Sequence, residues 1–354
     1  MKEHRFPKNN FIQNNFNNSP LLTEQVIYCL ELVNQLSLSN FDFLFKGGNS
    51  QLLILKSPQR FSIDVDIATA IQKDEILEIV KNIVETKNIF SRFNQRVHKT
   101  KPWLPMTSFE LYYPSYFNSE EENFIMLDVQ LKMSQYPKIK KKIKFLSLYQ
   151  SAAEVFVPTA SSLIGDKLLT LGPLTLGIPF KKNKETQRIK HIFDIFTLSN
   201  EPLNLKEIRQ SVDYCLTQEN ELQKKNYTLL NVLQDTLKFC ASILKYPDLP
   251  RGDVEEEGIT ELLNGITPFN KHLLAGSFDW ENLLIAMSKI GLLFTAVYKD
   301  NLSEQDLNNI PSLSEQILTV SSPEIFSTLQ KKSPIAFQYW KKISDWLGNE
   351  LSFL

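Results

Sequence analysis

A paired glycine closes one short apolar run, and two acids one residue apart interrupt the next. The segments are Phe45-Lys46-Gly47-Gly48-Asn49-Ser50 and Arg60-Phe61-Ser62-Ile63-Asp64-Val65-Asp66-Ile67. Side chains alternate faces along a strand, so Asp64 and Asp66 point one way while Ile63, Val65 and Ile67 point into a core. Two carboxylates side by side repel unless a cation lies between them. Magnesium-dependent phosphoryl or nucleotidyl transfer requires that arrangement.

The glycines add to the constraint. Gly47 and Gly48, between a strand and a helix expected from Asn49 to Leu55, let backbone amides come close to a phosphate, with the helix N-terminus adding positive charge. Asn49 and Ser50 offer side-chain donors. Taken singly, the glycines read as an ordinary turn and the acids as an exposed pair; together they bring phosphates and metal to one place. A third acid is wanted for two ions. Asp128 is the best placed, inside the apolar run Phe124 to Leu131, where a lone carboxylate is costly unless it is paired or metal-bound. Asp42 and Glu110 are less embedded in apolar sequence.

Periodicity predicts a helix over Leu21–Leu38, a strand over Phe41–Phe45, the acid-bearing strand over Ser62–Thr69 and an amphipathic helix over Lys73–Lys87. Strands follow over Phe90–His98, Ser108–Tyr113 and Asn123–Leu131. This order fits a mixed sheet with helices on one side. Helical periodicity then dominates: Ser161–Leu171, Gln187–Leu198, Leu205–Leu216, Glu221–Leu244, Asp279–Val297 and Leu313–Val320. The expected organisation is a flexible arm (1–19), an α/β (α+β) core (20–157) and a C-terminal helical bundle (158–354). The formal net charge is −1, so any nucleic-acid binding must come from a local patch. Cys29, Cys215 and Cys240 are widely spaced in apolar segments and read as buried thiols of a reducing cytosol. His4, His98, His191 and His272 form no zinc spacing. No secretory signal is evident and no apolar run reaches the ~18 residues of a membrane span. A cytoplasmic protein with no membrane partner is expected.

Gly-Gly, then Asp-x-Asp, then a separate strand aspartate resembles the nucleotidyltransferase superfamily that includes DNA polymerase beta-like enzymes. The closer form, Lys46-Gly47-Gly48 followed by Arg60-x-Ser62-x-Asp64-x-Asp66, is similar to the AbiEii/AbiGii-type nucleotidyltransferase toxins. Two later segments resemble further marks of that family: Lys167 in Leu163–Leu169, and Arg188-Ile189-Lys190-His191-Ile192-Phe193-Asp194. Asn49 stands where that family usually has threonine or serine, and His191 where it has aspartate. The resemblance implies a nucleotidyltransferase-type mixed sheet, with the helices over 158–200 completing a nucleotide site. It also implies a nucleoside triphosphate substrate, a toxin of a toxin–antitoxin or phage-defence pair with a separate antitoxin chain, and tRNA as an acceptor.

In that setting Asp64 and Asp66 would hold two Mg2+ ions, and Asp128 the ion that activates the acceptor hydroxyl. Gly47, Gly48, Asn49 and Ser50 would hold the β and γ phosphates, with Arg60 and Ser62 beside the acids. Arg60 could equally pair with an acid. Lys167 would neutralise triphosphate charge. Lys190 and Asp194, four apart on one helix face, either pair with each other or support the nucleotide. Lys138 to Lys144 is strongly basic and reads either as a protected edge strand or as a contact for RNA phosphates, which Lys181-Lys182-Asn183-Lys184 would extend. Two other functions remain open: modification of a protein hydroxyl, as in an AMPylase, and a catalytically silent nucleotide-binding module.

Overall fold

The structure is a computed structural model that describes residues 20–96, 104–117, 122–252, 254–308 and 323–353. The 1–19 arm, His4, His98 and the helix expected over Leu313–Val320 lie outside the described residues. The chain divides into two compact units, the first comprising Met1–Thr159 with Lys271–Gly276 and the second Ala160–Asn270 with Ser277–Leu354.

Unit 1 is built on a seven-stranded mixed sheet. Its strands are β1 (Phe43–Lys46), β2 (Asp64–Thr69), β3 (Arg92–Arg96), β4 (Met106–Pro114), β5 (Glu122–Gln130), β6 (Lys138–Phe145) and β7 (Tyr149–Pro158). They lie in the order β3-β4-β5-β2-β1-β7-β6, with β2 parallel to β5, β1 parallel to β7, and the other neighbours antiparallel. β6 is an edge strand, as one reading of its lysines expected. β7 was not foreseen. Gln150, Ser151, Ala152, Ala153 and Glu154 have low strand propensity, and pairing with β6 on one side and β1 on the other makes them a strand.

Helix α1 (Pro20–Leu38) covers one face of the sheet. Tyr28 stacks on Tyr113 at 3.7 Å between ring centroids, and the Cys29 thiol donates to Ile63 O at 3.3 Å. Phe45, Val65, Ile67, Leu127 and Val129 are buried on this face. Helix α2 (Gln51–Ile54) is a single turn, shorter than expected. Helix α3 (Lys73–Lys87) matches the predicted span, opens with a Gln72–Glu75 capping box and ends at Asn88 in the left-handed region, with Ile76, Val80 and Ile83 buried. Residues 271–276 return to unit 1 as a short strap. There Phe61 N donates to His272 O (2.8 Å) and Leu274 N to Gln59 O (2.9 Å), which pins the approach to β2.

Unit 2 is helical: α4 (Ala160–Leu168), α5 (Glu185–Leu198), α6 (Leu205–Gln223), α7 (Leu229–Ser242), α8 (Glu257–Asn270), α9 (Trp280–Tyr298), α10 (Glu304–Asn308), α11 (Pro323–Lys332) and α12 (Pro334–Leu347). The single helix expected over Glu221–Leu244 is split. Lys224 takes a left-handed φ of 54°, and Thr228 starts α7 with its own capping box. α8 escaped the periodicity because it contains Gly258, Gly265 and Pro268. α9 is long and apolar enough, by length and composition alone, to cross a membrane, contrary to the expectation above, but 78% of its apolar window is buried inside the structure. It is the core helix of this unit.

Candidate active site

The sheet register assembles the site on the face of unit 1 opposite α1. Ser108 on β4 is level with Asp128 on β5, Asp128 with Asp66 on β2, and Asp66 with Lys46 on β1. Cross-strand partners share a face, so this is one lateral row of functional side chains. Asp64 shares the face two residues away, level with Met126. Asp64 is exposed, and Asp66 and Asp128 are half-buried. The Ser108 hydroxyl donates to Asp128 Oδ1 at 2.5 Å, and Lys46 Nζ donates to Gln130 Oε1 at 3.2 Å.

The glycine turn is fitted against these acids. Gly47 has φ +72°, and a Cβ there would overlap the Asp66 carboxylate. A Cβ on Gly48 would lie 2.8 Å from Arg60 Nη2 and 2.9 Å from Ser62 Oγ. Arg60 and Ser62 therefore lie directly against the turn. Arg60 is buried and donates from Nη1 to Phe61 O at 2.9 Å. Ser50 Oγ donates to Gly47 O at 2.9 Å, closing the turn on itself. Because α2 is one turn long, the helix charge expected behind a phosphate is small; the donors of this segment are the backbone N–H groups of the turn. Asn49 is fully buried beside Cys29, and its side-chain amide nitrogen and oxygen have no hydrogen-bond partner among the described residues. Burial pushes the Cys29 thiol well above its ordinary pKa, and the charge of Asp64 adds to this. The nearby Asn49 amide works the other way, and Asp66 contributes a smaller upward push. Cys29 is thus an inert thiol under the acids.

The later motif residues lie in unit 2. Lys167 on α4 forms an ion pair with Asp194 on α5 at 2.8 Å, the two side chains 7% and 1% exposed. Lys167 is thus an ion-pair partner of Asp194 that sequence spacing did not suggest; Lys190 is half-buried on α5. Arg188 is wholly buried. It binds Glu261 (2.9 Å) and the carbonyls of Ile178 and Pro179, and its guanidinium lies 4.7 Å from the Phe180 ring and 5.3 Å from that of Phe239. Of the two basic stretches, Lys138–Lys144 belongs to unit 1, where Lys138 and Lys140 flank the Phe156 ring at 4.8 and 6.0 Å. Lys181 belongs to unit 2 and pairs with Glu257 at 3.2 Å.

The model of the family described as "Nucleotidyl transferase AbiEii toxin, Type IV TA system" matches residues 32–274. The chain belongs to this family. The match spans the glycine turn, Asp64, Asp66, Asp128, Lys167 and Asp194, and makes the protein a nucleotidyltransferase of a toxin family. A search of curated proteins finds no match. Among solved structures the chain is similar to MenT4, a nucleotidyltransferase toxin from Mycobacterium tuberculosis H37Rv. That similarity has 14% identity and a TM-score of 0.45, covering 81% of this chain and 85% of that one. It is also similar to an antigenic nucleotidyltransferase-like protein from Paracoccidioides brasiliensis, with 14% identity and a TM-score of 0.36, covering 60% of this chain and 96% of that one.

Among the described residues, no group of three or more His, Cys, Asp or Glu side chains stands close enough to hold a metal ion by itself. Magnesium does not require such a cage. It binds through one or two carboxylates, water and substrate phosphates. Hard carboxylate oxygens on adjacent strands, beside a glycine turn, fit that mode. Sequence reasoning missed Ser108, the hydroxyl that holds Asp128, and Cys29 under the acids. Ser108 carries no local signal; only the β4–β5 register brings it beside Asp128.

Proposed function

We propose that this member of the family is a magnesium-dependent nucleotidyltransferase toxin. It transfers a nucleoside monophosphate from a nucleoside triphosphate to an RNA hydroxyl, with tRNA the leading acceptor by family resemblance. It acts in the cytoplasm and is opposed by a separate antitoxin. The observation that carries the reading is the lateral row Ser108–Asp128–Asp66–Lys46 meeting the glycine turn at Asp66.

Asp64 and Asp66 would hold the divalent ions. When bound, such ions stabilise charge on the phosphate oxygens and lower the pKa of a coordinated hydroxyl. Asp128, oriented by the Ser108 hydroxyl, would accept the proton of the acceptor hydroxyl as its oxygen attacks the α phosphorus. The backbone N–H groups of Gly47, Gly48, Asn49 and Ser50 would receive the β and γ phosphates, with Arg60 and Ser62 alongside. Attack and departure are in line, so pyrophosphate leaves on the glycine side. Lys167, Lys190 and Asp194 keep the nucleotide-supporting roles that the resemblance assigns. In unit 2, Asp194 acts by holding the Lys167 ammonium.

The test is transfer of label from each α-labelled nucleoside triphosphate to total RNA or lysate protein, with Mg2+ present. Asp64→Asn and Asp66→Asn should each lower transfer by at least about 100-fold while leaving a cooperatively folded protein, since asparagine keeps the shape and removes the ligand charge. Wild-type turnover in either variant refutes the site. Label on protein with none on RNA refutes the acceptor class.

A further inference from the structure

The sheet order separates the two sides of the acids. β1, β7 and β6 lie on the glycine-turn side, and β5, β4 and β3 on the Asp128 side. In-line displacement puts the acceptor opposite the departing pyrophosphate. An acceptor reaching Asp128 therefore crosses β5, β4 and β3, and the lysines of β6 lie at the opposite edge.

The face on the Asp128 side carries a contiguous aromatic and guanidinium cluster reached by solvent. Arg92 is level with Tyr112, and Tyr112 with Phe124. All three share the face of Asp128, since Phe124, Met126 and Asp128 alternate to one side of β5. The Arg92 guanidinium lies 3.4 Å from the Tyr112 ring centroid, and the Tyr112 and Phe124 rings are 5.6 Å apart. Phe124 is 42% exposed. This row is two residues, about 7 Å along the strand, from the row that holds Met126 and Asp64.

Resting on the nucleotidyltransferase reading above, we propose that Phe124, backed by Tyr112 and Arg92, is the platform on which an unpaired base at the RNA acceptor end stacks. Every base has an apolar π-face, and exposed aromatic and guanidinium planes are how proteins hold unstacked bases. Two arginines, each paired with a glutamate, flank the cluster. Arg92 and Arg96 are each 55% exposed and paired with Glu122 (2.8 Å) and Glu110 (3.6 Å). The Arg92–Glu122 pair is exposed on both sides and weak, so the Arg92 fork can turn to a phosphate.

The experiment uses the full chain and a short single-stranded RNA whose 3′-terminal base is 2-aminopurine, whose fluorescence falls when it stacks. Wild type should quench the probe. Phe124→Ala should abolish the quench and weaken binding about tenfold, from the ~1–3 kcal/mol of one base–aromatic stack, with an unchanged melting temperature. Phe124→Trp should restore the quench. Reversing Lys138, Lys140 and Lys142 to glutamate should leave the quench at saturation intact. No quench in wild type, a quench that survives Phe124→Ala, or one lost only in the lysine variant overturns the platform. Labelled-nucleotide transfer on the same preparations separates the two ideas. Full transfer by Asp64→Asn removes the reading beneath; normal Asp64-dependent transfer without a quench removes the platform alone.

Discussion

Gly47 is where backbone conformation and chemistry meet most directly. Its φ is +72°, and the space a Cβ would take is already filled by the Asp66 carboxylate. Gly47→Ala therefore carries two penalties. The left-handed backbone costs an alanine about 1–2 kcal/mol, which in a unit of this size lowers the melting temperature by roughly 3–6 °C. The overlap is relieved only by turning Asp66 out of the row it shares with Asp128, and transfer should fall by about 100-fold or more, the scale expected when a charge-stabilising group is displaced. Gly47→Asn separates the two penalties. Asparagine tolerates the left-handed region but still brings a Cβ, so stability should largely return while transfer stays lost. Gly48→Ala is a milder control, because its Cβ would meet the movable ends of Arg60 (2.8 Å) and Ser62 (2.9 Å). The assays are thermal unfolding and labelled-nucleotide transfer. Recovery of transfer in Gly47→Asn would refute the claim that the space, and not the backbone, is what the site needs.

Lys167→Met should destabilise unit 2 by about 3–5 kcal/mol, because it leaves the Asp194 carboxylate buried without its cation. Lys167→Met with Asp194→Leu should recover most of that in urea unfolding, and a double variant no more stable than the single one would show that the pair is not coupled. If the double variant is stable yet binds nucleotide poorly, Lys167 acts on nucleotide as well as on the fold. On α9, burial pushes Lys289 down to about 8 from 10.5, although its ammonium donates to Ser199 O (3.1 Å) and Asn200 Oδ1 (2.9 Å). Below pH 8 both folded and unfolded states carry the proton, and the fold bears the cost of a buried charge. Between about 8 and 10.5 the unfolded chain holds more protons, so this group makes stability rise with pH by roughly 1–3 kcal/mol in total. Lys289→Met should flatten the rise in denaturation midpoint across that window, and an unaltered pH profile would sink the assignment.

Which way the acids face was legible in the chain. Asp64, Asp66 and Asp128 each interrupt an apolar alternation, and a strand has only two faces, so period alone fixed which side the acids take and which side Val65 and Ile67 bury. α3 was readable to its ends, because an amphipathic stripe and its caps are written within a few residues of one another. α8 was not, because packing overrides the poor propensity of its two glycines and proline.

Strand neighbours, by contrast, are chosen by pairing between segments far apart in the chain, which no short-range pattern records. Only the folded sheet puts Asp128 beside Asp66, Ser108 behind Asp128, and β7 between β1 and β6. The same holds for Lys167 and Asp194. Sequence spacing offered Asp194 a partner on its own helix, and the packing of α4 against α5 brings it Lys167, which spacing did not suggest. The sequence determined which residue types face which way along each strand, since that follows from backbone geometry within the segment. Tertiary structure decided which of them meet, since lateral order depends on long-range burial.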